Sequence, residues 1–257
     1  MGDALKELKK IPDESIDLVF ADPPYNMSKK KGLGWKYSNH VTMQEQWDIF
    51  TKDDFFKFNV EWLTECFRIL KHGGSLWVCG SFHNIYQLGY IIQHMSDLKI
   101  NNSIVWFKPN AQPNITCRMF TESTEHLIWA SKNGNGQKWI FNYDDTKNLI
   151  FDDINPKGKQ TRNVWSIPLT PKKEKWAGVH PTQKPEELLR RIILSSTKPG
   201  DLVIDPFVGS GTTSAVAKKL GRNSIGIEKE SKYLDIIQKR LSPTQKTLSE
   251  SEVEIIR

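Results

Sequence analysis

The chain is poor in the features that mark secreted, membrane-bound or metal-held proteins. Cysteine occurs three times, at Cys66, Cys79 and Cys117, with no C-x-x-C pair. An odd, scattered set excludes a disulfide framework and a zinc site, so all three read as packing residues. No apolar run approaches the roughly 18 residues of a membrane span. Met1-Gly2-Asp3 opens directly into an amphipathic segment without a signal-peptide pattern, and Lys6 stands where a myristoylation signal needs a hydroxyl. The expectation is a soluble, cytoplasmic protein with no membrane contact. Two ligand signatures are missing as well: there is no G-x-G-x-x-G and no P-loop lysine.

What is present is ordinary in amount and unusual in arrangement. The 257 residues suffice for one large α/β domain, or one domain with an insertion. Hydrophobic content of 38% and charged content of 26% are those of a globular protein. The net charge of +6 is compatible with nucleic acid without requiring it.

Apolar runs alternate with helical spacing along most of the chain. A short helix over residues 4–10 precedes a buried strand over 15–21. Helical spacing over 52–70 (Phe55, Phe56, Val60, Leu63, Phe67, Leu70) stops at His72-Gly73-Gly74, a C-cap signal. Strands are predicted over 75–79, 103–107, 125–130, 201–205 and 223–228, and helices over 81–94, 186–197 and 214–220. This alternation predicts a largely parallel sheet. His83 and His126 lie beside apolar runs and read as structural.

Four stretches break the pattern. Asp22-Pro23-Pro24-Tyr25 follows the first strand, at the strand end where α/β sheets place ligands. Two prolines fix consecutive φ angles and remove two donors, leaving a rigid turn with one carboxylate, exposed carbonyls and one ring. That set suits a planar group with an amino edge; alone, it is also a plain Pro-Pro turn. Residues 26–48, with Lys29, Lys30, Lys31, Trp35, Tyr37 and Trp47, read as a functional loop over a ligand. Residues 133–178 mix Trp139, Tyr143, Arg162, Trp165, Lys172, Lys173 and Trp176 on a weak apolar pattern. They suit either a nucleic-acid reader or a solvated basic excursion. Finally, strand 201–205 runs into Asp205-Pro206-Phe207-Val208-Gly209-Ser210-Gly211-Thr212-Thr213, a Gly-rich turn that lets a ligand approach backbone and helix amides. Glu228 ends the next strand, the position of an acid that binds ribose hydroxyls.

Asp-Pro-Pro-Tyr early and Asp-Pro-Phe-x-Gly-Ser-Gly-Thr-Thr late together resemble the S-adenosylmethionine-dependent DNA amino-methyltransferases, specifically their β-type, circularly permuted group from restriction–modification systems. The resemblance runs from Asp3 to about Leu241. Gly80-Ser-Phe-His-Asn-Ile-Tyr86, Phe120-Thr-Glu-Ser-Thr-Glu-His126 and His180-Pro-Thr-Gln-Lys-Pro185 further resemble adenine-modifying members, including small ones that methylate GATC. The resemblance implies a Rossmann-like methyltransferase fold: a mostly parallel twisted sheet flanked by helices. Its catalytic half would occupy 1–132, a target-recognition insert 133–178, the cofactor-binding half 179–241 and a tail 242–257.

It also implies roles. S-adenosylmethionine would lie against Phe207, Gly209, Ser210, Gly211, Thr212 and Thr213, with Asp205 near its methionyl amino group and Glu228 on its ribose. Asp3 would reach its adenine, Thr182 and Lys184 its methionine end, and Asp22 would border it. Asp22, Pro23, Pro24 and Tyr25 would hold a flipped base: Tyr25 stacking, Asp22 and the Pro23 carbonyl accepting the amine protons. Lys29, Lys30, Lys31, Arg162, Lys172 and Lys173 would contact DNA. The implied partners are DNA and a cognate restriction endonuclease, for a monomer or homodimer, and no metal is implied. No proline precedes any of the three cysteines, which excludes a cytosine-C5 nucleophile of the Pro-Cys type. Cytosine-N4 methylation, a catalytically silent DNA-binding protein and a nicotinamide oxidoreductase stay open as alternatives; the glycine spacing counts against the last.

Overall fold

A computed structural model describes residues 1–28, 48–114, 117–134, 136 and 138–242. The expected loop residues Lys29, Lys30, Lys31, Trp35, Tyr37 and Trp47 lie outside them, as do residues 243–257 of the tail.

In chain order the elements are α1 (Ala4–Leu8), β1 (Ile16–Ala21), α2 (Lys52–Ile69), β2 (Leu70–Gly80), α3 (Ile85–Gln93), β3 (Leu98–Phe107), β4 (Thr124–Lys132), α4 (Tyr143–Leu149), β5 (Val164–Ser166), α5 (Glu186–Ser196), β6 (Leu202–Asp205), α6 (Thr212–Lys219), β7 (Asn223–Gly226) and α7 (Leu234–Leu241). Single 3₁₀ turns cover Lys172–Lys175 and Ser231–Tyr233. The strands form one sheet in the order β5-β3-β4-β2-β1-β6-β7. Among the described residues only β4 runs against the other strands, pairing antiparallel with both β2 and β3. The mostly parallel α/β sheet expected from the alternation is therefore present.

Both faces of the sheet are covered. Val19 and Ala21 of β1 join a core with Trp62, Leu63 and Ile69 of α2 and Leu88 and Ile92 of α3. Leu18 and Phe20, alternating with them, join a second core with Leu188, Ile192 and Ile193 of α5 and Val216 of α6. A strand buried on both faces carries no polar alternation, which is why 15–21 reads as one apolar run.

Two expectations need correction. The Gly73-Gly74 pair does not cap α2: the helix stops at Ile69, Leu70 is already extended, and both glycines lie inside β2. Pairing decides this, since Leu70 aligns with Ile16 of β1 and Lys71 reaches Asp17 at 2.8 Å. Cys117 is exposed, with a left-handed φ of 53°, and so is not a packing residue; Cys66 and Cys79 are buried.

The stretch 133–178 is less of an excursion than its composition suggests. Its β5 extends the sheet beside β3, and Trp165 packs buried against Trp77, itself stacked on Trp129 at 5.3 Å. Asp152 anchors it by accepting from the amides of Ile154, Asn155 and Ser166 and from Arg191 of α5 at 2.6 Å. The side chains of Arg191 and Asp152 are 2% and 7% exposed. Arg191 also pairs with Glu187 at 2.9 Å, so losing Asp152 leaves the guanidinium one acid and costs less than the about 3–5 kcal/mol of a fully stranded charge. Asp152→Ala is therefore expected to lower the urea-unfolding free energy by about 1–3 kcal/mol through the lost hydrogen bonds, and an unchanged midpoint would show that the anchor contributes nothing.

Candidate active site

The site lies along the sheet edge where β1, β2, β3 and β6 end and the reversed β4 begins. Asp22-Pro23-Pro24-Tyr25 leaves β1 without regular structure. The turn is closed by Asn26 at a left-handed φ of 58°. The next three amides, of Asn26, Met27 and Ser28, all donate to the buried carboxylate of Asp48, at 2.6, 2.9 and 2.8 Å. Prolines offer no amide to hold such a turn, so Asp48 fixes it from the following residues.

Around Asp22 the protein assembles a buried charge cluster. The Lys184 ammonium, delivered by the segment before α5, is 2.9 Å from Asp22 Oδ2 and 3.2 Å from Glu125 Oε2. The Tyr25 hydroxyl donates to Asp22 Oδ1 at 2.8 Å and lies 3.1 Å from Glu125 Oε2. Lys108, just past β3, closes the cluster on Glu125 Oε1 at 3.2 Å. Burial raises the Asp22 carboxyl, with Lys184 opposing. Burial also works against the charge on Glu125, but Lys184 and Lys108 outweigh it and hold that carboxyl below its usual range. For Lys184, burial is overcome by Asp22 and Glu125, and the ammonium is stabilised well above its ordinary value.

β6 pairs with β1 through Leu18–Val203 and Val19–Ile204, which brings Asp205 to the same edge as Asp22. Asp205 accepts from the Phe207 amide at 3.0 Å and from the Thr213 hydroxyl. Burial, with the charges of Asp22 and Glu228 adding to it, pushes its carboxyl up to about 7. The loop beyond it needs its glycines. Gly209 and Gly211 have φ of 52° and 79°, and a Cβ on Gly209 would come within 3.0 Å of the His180 ring. Glu228 accepts from the Gly209 amide at 2.9 Å and the Glu230 amide at 2.7 Å.

These groups line one cleft. Asp3, Asp22, Pro24, Thr182, Lys184, Asp205, Phe207, Gly209, Ser210, Thr212, Thr213 and Glu228 all border it, with Phe20 and Phe58 as apolar wall. Asp3 caps α1 by accepting from the Leu5 amide, and the Gly2 amide donates to the Glu228 carbonyl. The cleft thus has acids at several points of its lining, together with the left-handed Gly209 and Asp22 and Pro24 of the Asp22 turn. That combination can hold an elongated ligand bearing an ammonium and hydroxyls.

The structure separates the expected DNA contacts. Lys172 and Lys173 are exposed on a turn held beside α5, where Glu174 accepts from the Glu186 amide at 2.9 Å and its carbonyl from Gln183 at 2.9 Å. Arg162 precedes β5, whose first residue pairs with Val105, so it sits back along β3 from the strand ends that carry Asp22. Glu125, Lys108 and Asp48 were not singled out by sequence reasoning. Glu125 lies inside the Phe120–His126 motif, yet only the pairing of Trp106 with Glu125 reveals that β4 starts where β3 ends.

With this geometry in hand, the comparisons with known proteins are decisive. The DNA methylase family, covering N6 and N4 methyltransferases, matches residues 16–239. The chain belongs to that family. It is 47% identical to the type II methyltransferase M2.DpnII of Streptococcus pneumoniae, over 96% of this chain and 90% of that protein. It is 47% identical to M.HinfI of Haemophilus influenzae, over 93% and 67%. Among solved structures, the M1.HpyAVI–SAM complex is 28% identical with a TM-score of 0.66, over 94% of this chain and 97% of that one. The cytosine-N4-specific PvuII methyltransferase, at 22% identity and a TM-score of 0.71 over 99% and 90%, shares the fold. For this DNA methylase the early Asp-Pro-Pro-Tyr strand and the late Gly-rich strand are far apart in sequence and adjacent in space, as the permuted order requires.

Asp205 allows a test of the buried edge. An acid that titrates near 7 when folded and near 3.9 when unfolded binds the extra proton in the folded state between those values. Stability is then highest below the unfolded value and falls as pH rises towards 7. Asp205→Asn should remove this slope and gain on the wild type by up to about 4 kcal/mol at pH ~8. Urea unfolding of both proteins at pH ~5 and ~8 measures it, and parallel profiles would contradict it.

Proposed function

We propose that this DNA methylase transfers the methyl group of S-adenosylmethionine to the N6 amine of an adenine flipped out of DNA. The observation that carries the reading is that Asp22 and Asp205 end adjacent strands and border one cleft, so a donor site and an amine-binding turn open into each other. The cofactor's chemistry fits the residues present. Asp205 offers a carboxylate to a methionyl ammonium, and Glu228 offers one to ribose hydroxyls. Gly209, Ser210, Gly211, Thr212 and Thr213 supply a backbone that admits close approach, Phe207 an apolar face, Asp3 an acceptor near the adenine, and Thr182 a hydroxyl towards the methionine end. When bound, the cofactor supplies an electrophilic methyl on a sulfonium.

The chain's own residues do the rest. An exocyclic amine is a weak nucleophile because its lone pair is delocalised into the ring, and a base stacked in a duplex cannot reach Asp22 at all. Pro23 and Pro24 hold the turn rigid. Asp22 and the Pro23 carbonyl accept the two amine protons and favour a tetrahedral nitrogen with its lone pair free. Acceptors aimed at developing positive charge lower the barrier without reorganising. Tyr25, its hydroxyl tied to Asp22, sets the orientation of that carboxylate and offers its ring to the base. No covalent enzyme intermediate is required.

Adenine is supported by the Gly80–Tyr86, Phe120–His126 and His180–Pro185 segments. Lys172 and Lys173, exposed on their turn, are the proposed contacts of the 133–178 insert to DNA phosphates, with Arg162, Lys29, Lys30 and Lys31 as further candidates. The relatives are type II methyltransferases, which supports a role as the modification arm of a restriction–modification system, paired with an endonuclease that cuts the same unmethylated sequence.

Labelled methyl from S-adenosylmethionine should appear in N6-methyladenine after incubation with unmethylated DNA and digestion to nucleosides. Asp22→Ala should reduce the transfer rate by about 10²–10³-fold. Label in N4-methylcytosine would overturn the base, and label that persists in Asp22→Ala would overturn the role of the turn.

A further inference from the structure

The buried cluster at Asp22 holds more charge than amine recognition needs. One carboxylate and one carbonyl suffice to accept two amine protons, yet a second acid, Glu125, faces the same point, and two lysines are buried with them. Lys184 Nζ stands 2.9 Å from Asp22 Oδ2 and 3.2 Å from Glu125 Oε2, so it bridges the two acids. Its ammonium occupies the hydrogen-bonding position on Asp22 that an incoming amine would claim.

We propose that Glu125 is a positioning residue that retains the Lys184 ammonium when the target amine takes its place on Asp22. The proposal rests on the reading of Asp22 as the amine acceptor. Before base entry Lys184 is shared between the two acids. As the amine arrives, Lys184 gives up its contact with Asp22 and stays bound to Glu125 Oε2. A charged ammonium therefore need not return to water or remain buried without a partner. Lys108 on Glu125 Oε1 and the Tyr25 hydroxyl near Oε2 keep that carboxylate in place during the exchange. No bond is made or broken in this step; only hydrogen bonds are exchanged.

The groups facing Asp22 are Lys184 from the segment before α5, Glu125 from β4, Tyr25 from its own turn and Cys79 from β2, with Asp205 of β6 acting at longer range. Glu125 adds negative charge near Asp22, and Lys184 adds positive. In Glu125→Gln the lysine has one acid left and stays on Asp22. The expected result is a kcat for DNA methylation lower by roughly 10²-fold, unchanged S-adenosylmethionine affinity by calorimetry, and an acid limb of the kcat–pH profile moved to lower pH. Loss of a merely structural contact would not move that limb downward. Glu125→Asp keeps the charge and withdraws the carboxylate, so it should fall between wild type and Gln even if Gln folds poorly. A kcat near wild type in Glu125→Gln, or an Asp variant as slow as Gln with the limb unmoved, overturns the proposal. Wild-type protein that methylates no DNA, or a fully active Asp22→Ala, overturns the underlying reading and this inference with it. An active wild type, an inactive Asp22→Ala and an unaffected Glu125→Gln would sink the inference alone.

Discussion

Everything at the working edge depends on β1 and β6 lying side by side. Their parallel pairing, Leu18 with Val203 and Val19 with Ile204, joins the first strand of the chain to one near its end. Asp22-Pro23 follows directly on β1 and Asp205-Pro206 closes β6, so the pairing sets two rigid acidic turns next to each other. β2, β3 and the reversed β4 then bring Cys79, Lys108 and Glu125 to the same edge. A one-residue slip between β1 and β6 would turn Leu18 and Phe20 from one core to the other and carry Asp22 with them. Burial on both faces is what makes that slip costly, so the sheet's packing and the geometry of the site are the same constraint.

Much of this was legible from the residues, for physical reasons that differ between elements. Strands buried on both faces read as apolar runs, and 15–21 and 201–205 were recognisable for that reason. The Asp-Pro-Pro-Tyr and Gly-Ser-Gly-Thr-Thr turns were visible because proline and glycine impose backbone conformations that few other residues share. β2 was read too short because Lys71, His72, Gly73 and Gly74 look like a helix stop. They form a bulge in β2, with Gly73 at φ 78° and the register against β1 shifting between Ile16–Leu70 and Leu18–Ser75, and partners far away in sequence hold it: Lys71 with Asp17 at 2.8 Å and His72 with Glu14 at 3.0 Å. β3 begins five residues before its predicted start, in the polar stretch Lys99-Ile100-Asn101-Asn102, with a register shift between Ile100 and Asn102. A strand with polar residues and a bulge has no period for a reader to find.

The 133–178 stretch marks the limit of composition as evidence. Its tryptophans and basic residues suggest a nucleic-acid surface, but they divide by environment. Trp165 is core, Trp139 lies partly buried under Lys99 at 4.6 Å, and Trp176 is exposed beside the Lys172–Lys175 turn. An aromatic side chain serves stacking on a base and filling a core equally well. Only the sheet, by accepting β5 beside β3, separates the two uses, and it sets Arg162 back from the strand ends that carry Asp22.

The charge cluster itself explains why such a site can be buried at all. Asp22 and Glu125 carry two negative charges, and Lys184 and Lys108 two positive ones, so the group is balanced as a set. Two acids this close would otherwise share a proton, and a buried Lys184 without them would tend to lose its own. Balance has a consequence for chemistry. A neutral amine can displace Lys184 from Asp22 without changing the total charge, provided that the lysine stays within the set. A cationic group in the same place would leave one positive charge in excess. An edge built this way favours a neutral exocyclic amine over an alkylammonium, and that preference follows from the pairing of four side chains drawn from four separate segments of the chain.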